Sequence, residues 1–297
     1  MITQHTIFNS QSTNQPFNLS TQSTNQPAFT NQLISYLLFL GDNALILGHR
    51  NSEWCGHGPI LELDIAITNI ALDLIGQARH FYQYAAELIN QPDVTNRKAS
   101  PMGGGLEGAT EDTLAFLRDA KDFKNCLLVE QSNGDWGVTV MRQFFFSTWQ
   151  YYLYQHLQNS NDKRIAAIAA KSLKEVTYHV RWSSEWVIRL GRGTEESNAK
   201  MTNAVNMLNQ YSDELFTAAD YENVAVREGY GADLRTIKHL WVQKVKETFQ
   251  DATLAFLLPA NDQVQPLFGK GGEHTIHLHE LLTEMQFLQR TYPGAQW

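Results

Sequence analysis

The chain has 297 residues, of which 43% are hydrophobic and eight are proline, and its formal net charge is -8. This length and apolar content are sufficient for a substantial buried core in one or two domains. Coulomb repulsion disfavours nucleic acid and anionic membrane surfaces as partners of so acidic a chain. No apolar run approaches the roughly 18 to 20 residues that span a bilayer. We therefore expect a globular protein that makes no membrane contact.

The N-terminal segment differs in composition from the rest of the chain. Residues 1–30 are mostly Gln, Asn, Ser and Thr and contain the sequence STNQP twice. This composition cannot repay the entropy of ordering, so we predict a disordered tail followed by one helical domain over 31–297. The tail lacks the basic start and apolar core of a signal peptide, which favours a cytoplasmic protein. In that compartment Cys55 and Cys126 are expected to be reduced thiols with packing roles.

Apolar residues at spacings of three and four predict a series of helices from residue 31 onwards. The longest, over 59–90, is expected to bury one stripe, formed by Leu61, Ile65, Thr68, Leu72, Ile75 and Phe81/Tyr82. The helix before it, over 33–49, contains Gly41 and Gly48. Each glycine costs a helix about 1 kcal/mol relative to alanine, so we predict close packing against a neighbouring helix there.

The later helices complete a recognisable architecture. After a Pro- and Gly-rich stretch, expected to be a mobile surface loop over 91–108, the pattern predicts helices over 111–118, 123–131, 136–158, 162–190, 198–221, 233–258 and 277–290. Four long helices in two hairpins, with extra helices packed outside, predict an all-α fold. The expected type is a ferritin-like four-helix bundle with additional peripheral helices.

A di-iron or di-manganese centre in such a bundle needs a Glu from each of two helices and a Glu-x-x-His pair from each of the other two. The sequence has no Asp or Glu followed three residues later by His, and the helix over 136–158 has no carboxylate at all. We therefore predict that this chain holds no metal. We also assign it no catalytic residue and no other cofactor.

The remaining polar residues of the long helices resemble the shell of such a centre. They are predicted to form a vestigial, metal-free polar network in the core, made of Asp73, Gln77, Glu175 and His179. Arg142 and Arg181 are the candidate cationic partners, because buried carboxylates need hydrogen bonds or a cation. The alternative is that these side chains lie at helix edges in water.

A group of histidines near the C-terminus, His274, His277 and His279, could suggest zinc. Its spacing fits no common structural zinc site, and no cysteine is close in sequence. We predict a loop and the first turn of the last helix instead.

Several longer segments closely resemble the C-subunit family of the bacterial phenylacetyl-CoA 1,2-epoxidases. These segments are 40–47, 52–57, 70–79, 128–131 and 284–290, together with the pairs Lys174-Glu175 and Tyr178-His179. The resemblance covers residues 31–297. The tail and the segment 96–108 look like additions to the family pattern.

The resemblance implies a non-catalytic structural subunit of a cytoplasmic, oxygen- and NADPH-dependent monooxygenase of aerobic phenylacetate catabolism. In that family the catalytic A subunit holds the di-iron centre and binds the CoA thioester. The C subunit has the same ferritin-like fold without a catalytic metal, pairs with the A subunit and keeps it folded. A small B subunit and a reductase complete the system.

An aromatic run over 144–152 surrounds a predicted helix, so one of its faces could contact a partner. Aromatic residues are enriched at interfaces, which makes Phe145, Trp149, Tyr151 and Tyr152 the candidate partner surface. The alternative is that the whole run is core.

Two other functions stay open at this point. One is a di-iron carboxylate oxygenase with non-standard ligands drawn from Asp73, Glu130, Glu175 and His179. The other is a metal-free helical bundle that acts without a partner.

Overall fold

The computed structural model describes residues 26–91, 108–256 and 267–295. Within these ranges the chain forms eleven α-helices and no strand: α1 (Gln26–Ser52), α2 (Leu61–Ile89), α3 (Glu111–Phe116), α4 (Leu127–Glu130), α5 (Trp136–Leu157), α6 (Lys163–Gly191), α7 (Glu195–Leu208), α8 (Asp220–Arg227), α9 (Leu234–Ala252), α10 (Ile276–Met285) and α11 (Phe287–Thr291). The hairpin α1–α2 packs against the hairpin α5–α6, and the shorter helices lie outside. This all-α, ferritin-like bundle confirms the predicted fold class. None of the described helices has the length and apolarity needed to cross a bilayer.

The core lies where the two hairpins meet. The ring of Phe39 on α1 contacts Trp149 on α5 edge to face, with 6.0 Å between ring centroids. Nearby, the side-chain amide of Asn51 donates a hydrogen bond of 2.8 Å to Gln143 Oε1. The bundle centre therefore combines large apolar rings with amide side chains.

The buried face of α2 differs from the predicted stripe. Leu61, Ile65 and Leu72 are 71%, 53% and 61% exposed, so this part of the prediction is wrong. The large apolar residues that α2 does bury are Leu63, Ile67, Ile70, Leu74, Phe81, Tyr82 and Leu88. The reason is that α2 is apolar on two faces, and a spacing of three and four cannot tell which face meets the bundle. We call Leu61, Ile65 and Leu72 the α2 stripe.

Close packing of α1 on α2 is confirmed at both glycines. A Cβ atom on Gly41 would lie 2.6 Å from Tyr82 Cε1, and one on Gly48 would lie 3.1 Å from Ile75 Cγ1. The first distance is far below van der Waals contact, so only glycine fits beneath the tyrosine ring.

A buried carboxylate beside Gly41 holds three segments together. Asp42 Oδ1 accepts a hydrogen bond of 2.5 Å from the Tyr82 hydroxyl, and Oδ2 accepts one of 2.7 Å from the backbone amide of Lys124. The guanidinium of Arg118 pairs with both carboxylate oxygens and lies 4.1 Å from the centroid of the Phe123 ring. Asp42 thus ties α1 to α2 and to the connection that follows α3.

The predicted helix over 123–131 is much shorter in the structure, because α4 begins only at Leu127. The preceding segment is extended, and side chains from distant helices satisfy backbone groups there. The amide of Cys126 donates to Asn43 Oδ1 at 2.9 Å, and that of Leu127 donates to Glu214 Oε2 at 2.6 Å. These side chains replace the hydrogen bonds of a helical turn.

Other helix boundaries also differ from prediction. Helix α1 begins at Gln26, inside the predicted tail, and the predicted helix over 198–221 ends at Leu208. The last predicted helix is broken at Gln286. The side-chain amide of Gln286 donates to the carbonyl oxygens of Ala115 at 3.2 Å and of Arg118 at 3.0 Å. The rest of the predicted tail and most of the predicted mobile loop lie outside the described residues.

Both cysteines are unpaired, as predicted. Cys126 is buried, and burial raises the pKa of its thiol well above the ordinary value. Cys55 is exposed in the connection between α1 and α2, so a packing role applies only to Cys126.

We predict that Gly41→Ala destabilises the protein by about 1–3 kcal/mol, because the new methyl group overpacks the α1–α2 contact. Urea-induced unfolding followed by circular dichroism measures the change. The matched control is Gly76→Ala, also inside a helix, where a Cβ would meet no atom within 4 Å. This control should gain up to about 1 kcal/mol from helix propensity. Equal effects at the two sites would contradict the packing argument.

Candidate functional site

Two hydrogen-bonded pairs connect α2 and α6 at the centre of the bundle. In the first, His179 Nε2 lies 3.0 Å from Asp73 Oδ2. The His179 side chain is fully buried, whereas that of Asp73 is 36% exposed. A histidine that donates from Nε2 leaves Nδ1 as an acceptor, and Nδ1 has no hydrogen-bond partner among the described residues.

The second pair extends across three helices. Gln77 Nε2 on α2 donates to Glu175 Oε2 on α6 at 2.9 Å. Gln77 Oε1 accepts from Gln150 Nε2 on α5 at 3.0 Å and from the Tyr154 hydroxyl at 3.4 Å. Burial raises the pKa of Tyr154, so its phenol stays neutral and can donate. We call Asp73, Gln77, Gln150, Glu175 and His179 the central layer.

The structure therefore brings the four predicted network residues together in two pairs, and it adds Gln150. The two predicted cationic partners are wrong. Arg142 donates to the Gln131 carbonyl and to Asn133 Oδ1, and Arg181 lies 5.7 Å from the ring centroid of Tyr178. The alternative of solvated helix edges applies in part, since Gln77 and His179 are buried while the carboxylates reach the edge of the layer.

The chemistry of the central layer does not fit a di-metal centre. Metal ions of this class need several lone pairs directed at one point. Here the amide nitrogens of Gln77 and Gln150 are directed at neighbouring side chains, and α5 contributes an amide where such a centre needs a carboxylate. Among the described residues there is no group of three or more His, Cys, Asp or Glu side chains that could hold a metal ion.

The predicted partner surface on α5 divides into two parts. Phe145 and Trp149 are only 1% exposed, and the Phe145 carbonyl accepts a hydrogen bond of 2.9 Å from the Trp241 indole. Assigning these two residues to an interface is wrong, because α9 covers Phe145 and the Trp149 ring packs inside the bundle against Phe39 of α1. Tyr151 and Tyr152 are half-buried and line a surface groove, so their role stays a prediction.

Comparison with known proteins identifies the family. The chain matches the family described as "Phenylacetic acid catabolic protein" over residues 13–297. The chain belongs to this family. It is also 45% identical over 267 residues to the C subunit of the 1,2-phenylacetyl-CoA epoxidase of Escherichia coli (strain K12). That match covers 90% of this chain and 100% of the relative, which confirms the resemblance found in the sequence motifs.

This member of the phenylacetic acid catabolic protein family also has a buried ionic cluster that the sequence patterns did not reveal. Lys270 Nζ contacts both oxygens of the Glu222 carboxylate at 3.0 and 3.1 Å. Glu214 accepts from the backbone amides of Leu127 and Lys270 at 2.6 and 3.2 Å. Burial raises the pKa of Glu214 to about 7. The cluster fixes the segment before α10 on the outside of the bundle.

Glu130, one of the non-standard ligand candidates, belongs to the same region. Its buried carboxylate accepts hydrogen bonds from Asn125 Nδ2, from the amide and hydroxyl of Thr275, and from His274 Nδ1, at 2.7 to 2.8 Å. None of these partners belongs to the central layer. His274 lies just before α10, as predicted, but its side chain is a buried partner of Glu130.

Both ring nitrogens of His274 face acceptors, because Nε2 lies 3.0 Å from the Phe123 carbonyl oxygen. Both ring nitrogens must therefore carry a hydrogen atom, so the His274 side chain is a positively charged imidazolium. Burial opposes that charge, but the hydrogen bond and charge of Glu130 and the bond to Phe123 outweigh it and raise the pKa of His274.

We predict that His274 stabilises the fold in a pH-dependent way. Its folded pKa is raised above the ordinary value of 6.5, so its contribution is complete below that value and is lost as the pH rises through the folded pKa. In urea unfolding, the stability difference between the wild type and His274→Gln should therefore shrink as the pH rises above 6.5. The control is His279→Gln, an exposed position on α10. A difference that is constant with pH would exclude the imidazolium.

Proposed function

We propose that this chain is the non-catalytic structural subunit of a multicomponent ring-1,2-phenylacetyl-CoA epoxidase, and that it pairs with and stabilises the di-iron catalytic A subunit. The proposal draws on the similarity to the C subunit of such an enzyme, which extends over the full length of that relative. In the proposed cytoplasmic complex, a B subunit and a reductase complete the system, with oxygen and NADPH as co-substrates.

The observation that carries the proposal is the amide bridge of the central layer. Gln150, Gln77 and Glu175 form one hydrogen-bonded chain from α5 through α2 to α6. A ferritin-like oxygenase places metal-binding carboxylates on these facing helices. The amides keep the centre polar and hold the helices in register, but they offer donors where a metal would need acceptors.

The α2 stripe supports the pairing. Leu61, Ile65 and Leu72 follow one another on one side of a long helix and remain exposed to water. Burying a leucine or isoleucine side chain at an interface gains about 1.5–3 kcal/mol. A partner that covers this surface would therefore bind tightly. Through mass action, the stability of each chain would then depend on the other.

We predict that Ile65→Asp combined with Leu72→Asp weakens binding to the catalytic A subunit by about 30-fold or more, since a charge cannot be buried unpaired against an apolar partner. Biolayer interferometry with the purified A subunit measures the affinity. The fold should be unaffected because both side chains are exposed. The control is Val226→Asp, an exposed apolar residue on α8. Unchanged affinity would remove the α2 stripe from the interface.

Co-expression tests the function itself. The A subunit should be soluble, iron-loaded and active in phenylacetyl-CoA epoxidation when this chain is present, and should lose soluble yield when it is absent. If the A subunit is unaffected by this chain, a bundle that acts without a partner is favoured. The structural-subunit proposal is wrong if this chain binds two ferrous ions per molecule, as a di-iron centre does. It is also wrong if this chain, without the A subunit, epoxidises phenylacetyl-CoA.

A further inference from the structure

We propose that a surface groove between α5, α6 and α9 binds a carboxylate side chain of the catalytic A subunit. This inference rests on the proposed function, because it names a specific contact within that pairing. The groove has a volume of about 370 Å³. Among the residues that line it are Thr148, Tyr151, Tyr152, Arg181 and Lys244. We call it the tyrosine groove.

The groove carries two cations that lack a partner of opposite charge. Neither Arg181 nor Lys244 forms an ion pair within the described ranges, and Arg181 contacts the ring of Tyr178 instead. Some basic residues of the same helices are paired, such as Arg164 with Glu87 and Lys238 with Asp213, whereas Arg189 and Lys246 lie over aromatic rings. In a chain of net charge -8, two unpaired cations in one groove mark a place for an incoming anion.

One carboxylate of this chain lies near the groove but does not neutralise it. The charge of Glu247 contributes to the raised pKa of Tyr152, after burial and the charge of Tyr151. The Glu247 carboxylate accepts a hydrogen bond of 3.0 Å from the side-chain amide of Gln243. Neither Gln243 nor Glu247 lines the groove, and Glu247 forms no ion pair with Arg181 or Lys244 among the described residues.

The groove also contains a hydroxyl group without a partner. Thr148 is fully buried, and its Oγ1 has no hydrogen-bond partner among the described residues. A buried hydroxyl is costly unless something bonds to it. A carboxylate suits this position because it accepts from a hydroxyl and from cationic nitrogens at the same time.

The position and composition of the groove favour a protein side chain as the occupant. Tyrosine and arginine are enriched at the energetic centres of protein interfaces. Helix α6 lies between α2 and α5, and its exposed face carries Tyr178, which is 38% exposed. The α2 stripe and the tyrosine groove therefore lie on helices that contact α6, and the proposal requires one partner surface that covers both.

Charge reversal tests the contact. Arg181→Glu and Lys244→Glu should each weaken the affinity of the full chain for the A subunit by about tenfold or more, and the remaining affinity should depend less on salt. The matched controls are Arg189→Glu and Lys246→Glu, on the same two helices, whose cations lie over the rings of Trp186 and Phe256. We expect the controls to change affinity by less than about twofold.

Carbodiimide cross-linking identifies the partner group directly. The reagent joins an amine to a carboxylate in ion-pair contact, with loss of water. Mass spectrometry of the cross-linked wild-type complex should show Lys244 bonded to an Asp or Glu of the A subunit. Lys244→Arg keeps the charge but should remove this cross-link.

The outcomes separate the two proposals. A wild-type chain that does not bind the A subunit overturns both. If both charge-reversal variants bind the A subunit as tightly as the wild type and no Lys244 cross-link forms, the groove proposal is wrong and the structural-subunit proposal stands. Calorimetric titration with inorganic phosphate covers the remaining ligand class. Phosphate binding to the isolated chain that Arg181→Glu abolishes would show a small-anion site instead.

Discussion

The buried carboxylate of Asp42 is the constraint on which the arrangement of the bundle depends. It pairs with Arg118, accepts from the Tyr82 hydroxyl and accepts from a backbone amide beyond α3. Losing one partner of such a buried pair typically costs about 3–5 kcal/mol, because the other charge is left uncompensated. Since Tyr82 also covers Gly41, the same contact sets both the distance and the rotation of α2 against α1. That rotation turns Gln77 towards α5 and α6, and it leaves the α2 stripe in water.

Much of this architecture follows from the sequence. The two hairpins, the close approach at Gly41 and Gly48, and the meeting of the four network residues all follow from helical periodicity and residue chemistry. The buried face of α2 does not, because both of its faces are apolar and the choice between them is made by α1. The burial of Phe145 depends in the same way on α9, which lies almost a hundred residues further along the chain. The burial of Trp149 depends on Phe39 of α1, which lies more than a hundred residues earlier.

The shortened α4 and the surroundings of Glu130 could not be predicted for a different reason. Their hydrogen bonds join residues far apart in sequence, and no local pattern encodes the pairing. A signal did exist in the polar pair Asp42-Asn43, which interrupts an otherwise apolar helix. A buried polar side chain in such a helix must form a hydrogen bond, so the pair indicates that a distant backbone segment packs beside it. The ionic cluster around Lys270 gave a weaker signal, because a lysine among glycines suggests an exposed loop.

The unequal environments of the two thiols have a practical consequence. Cys126 is shielded and holds its proton, whereas Cys55 is open to reagents. A maleimide dye should therefore label a single position without any engineered mutation. Because Cys55 lies in the connection that leads into α2, a fluorophore there would report on events at the adjoining end of that helix. Assembly could then be followed in real time by fluorescence anisotropy of the native sequence.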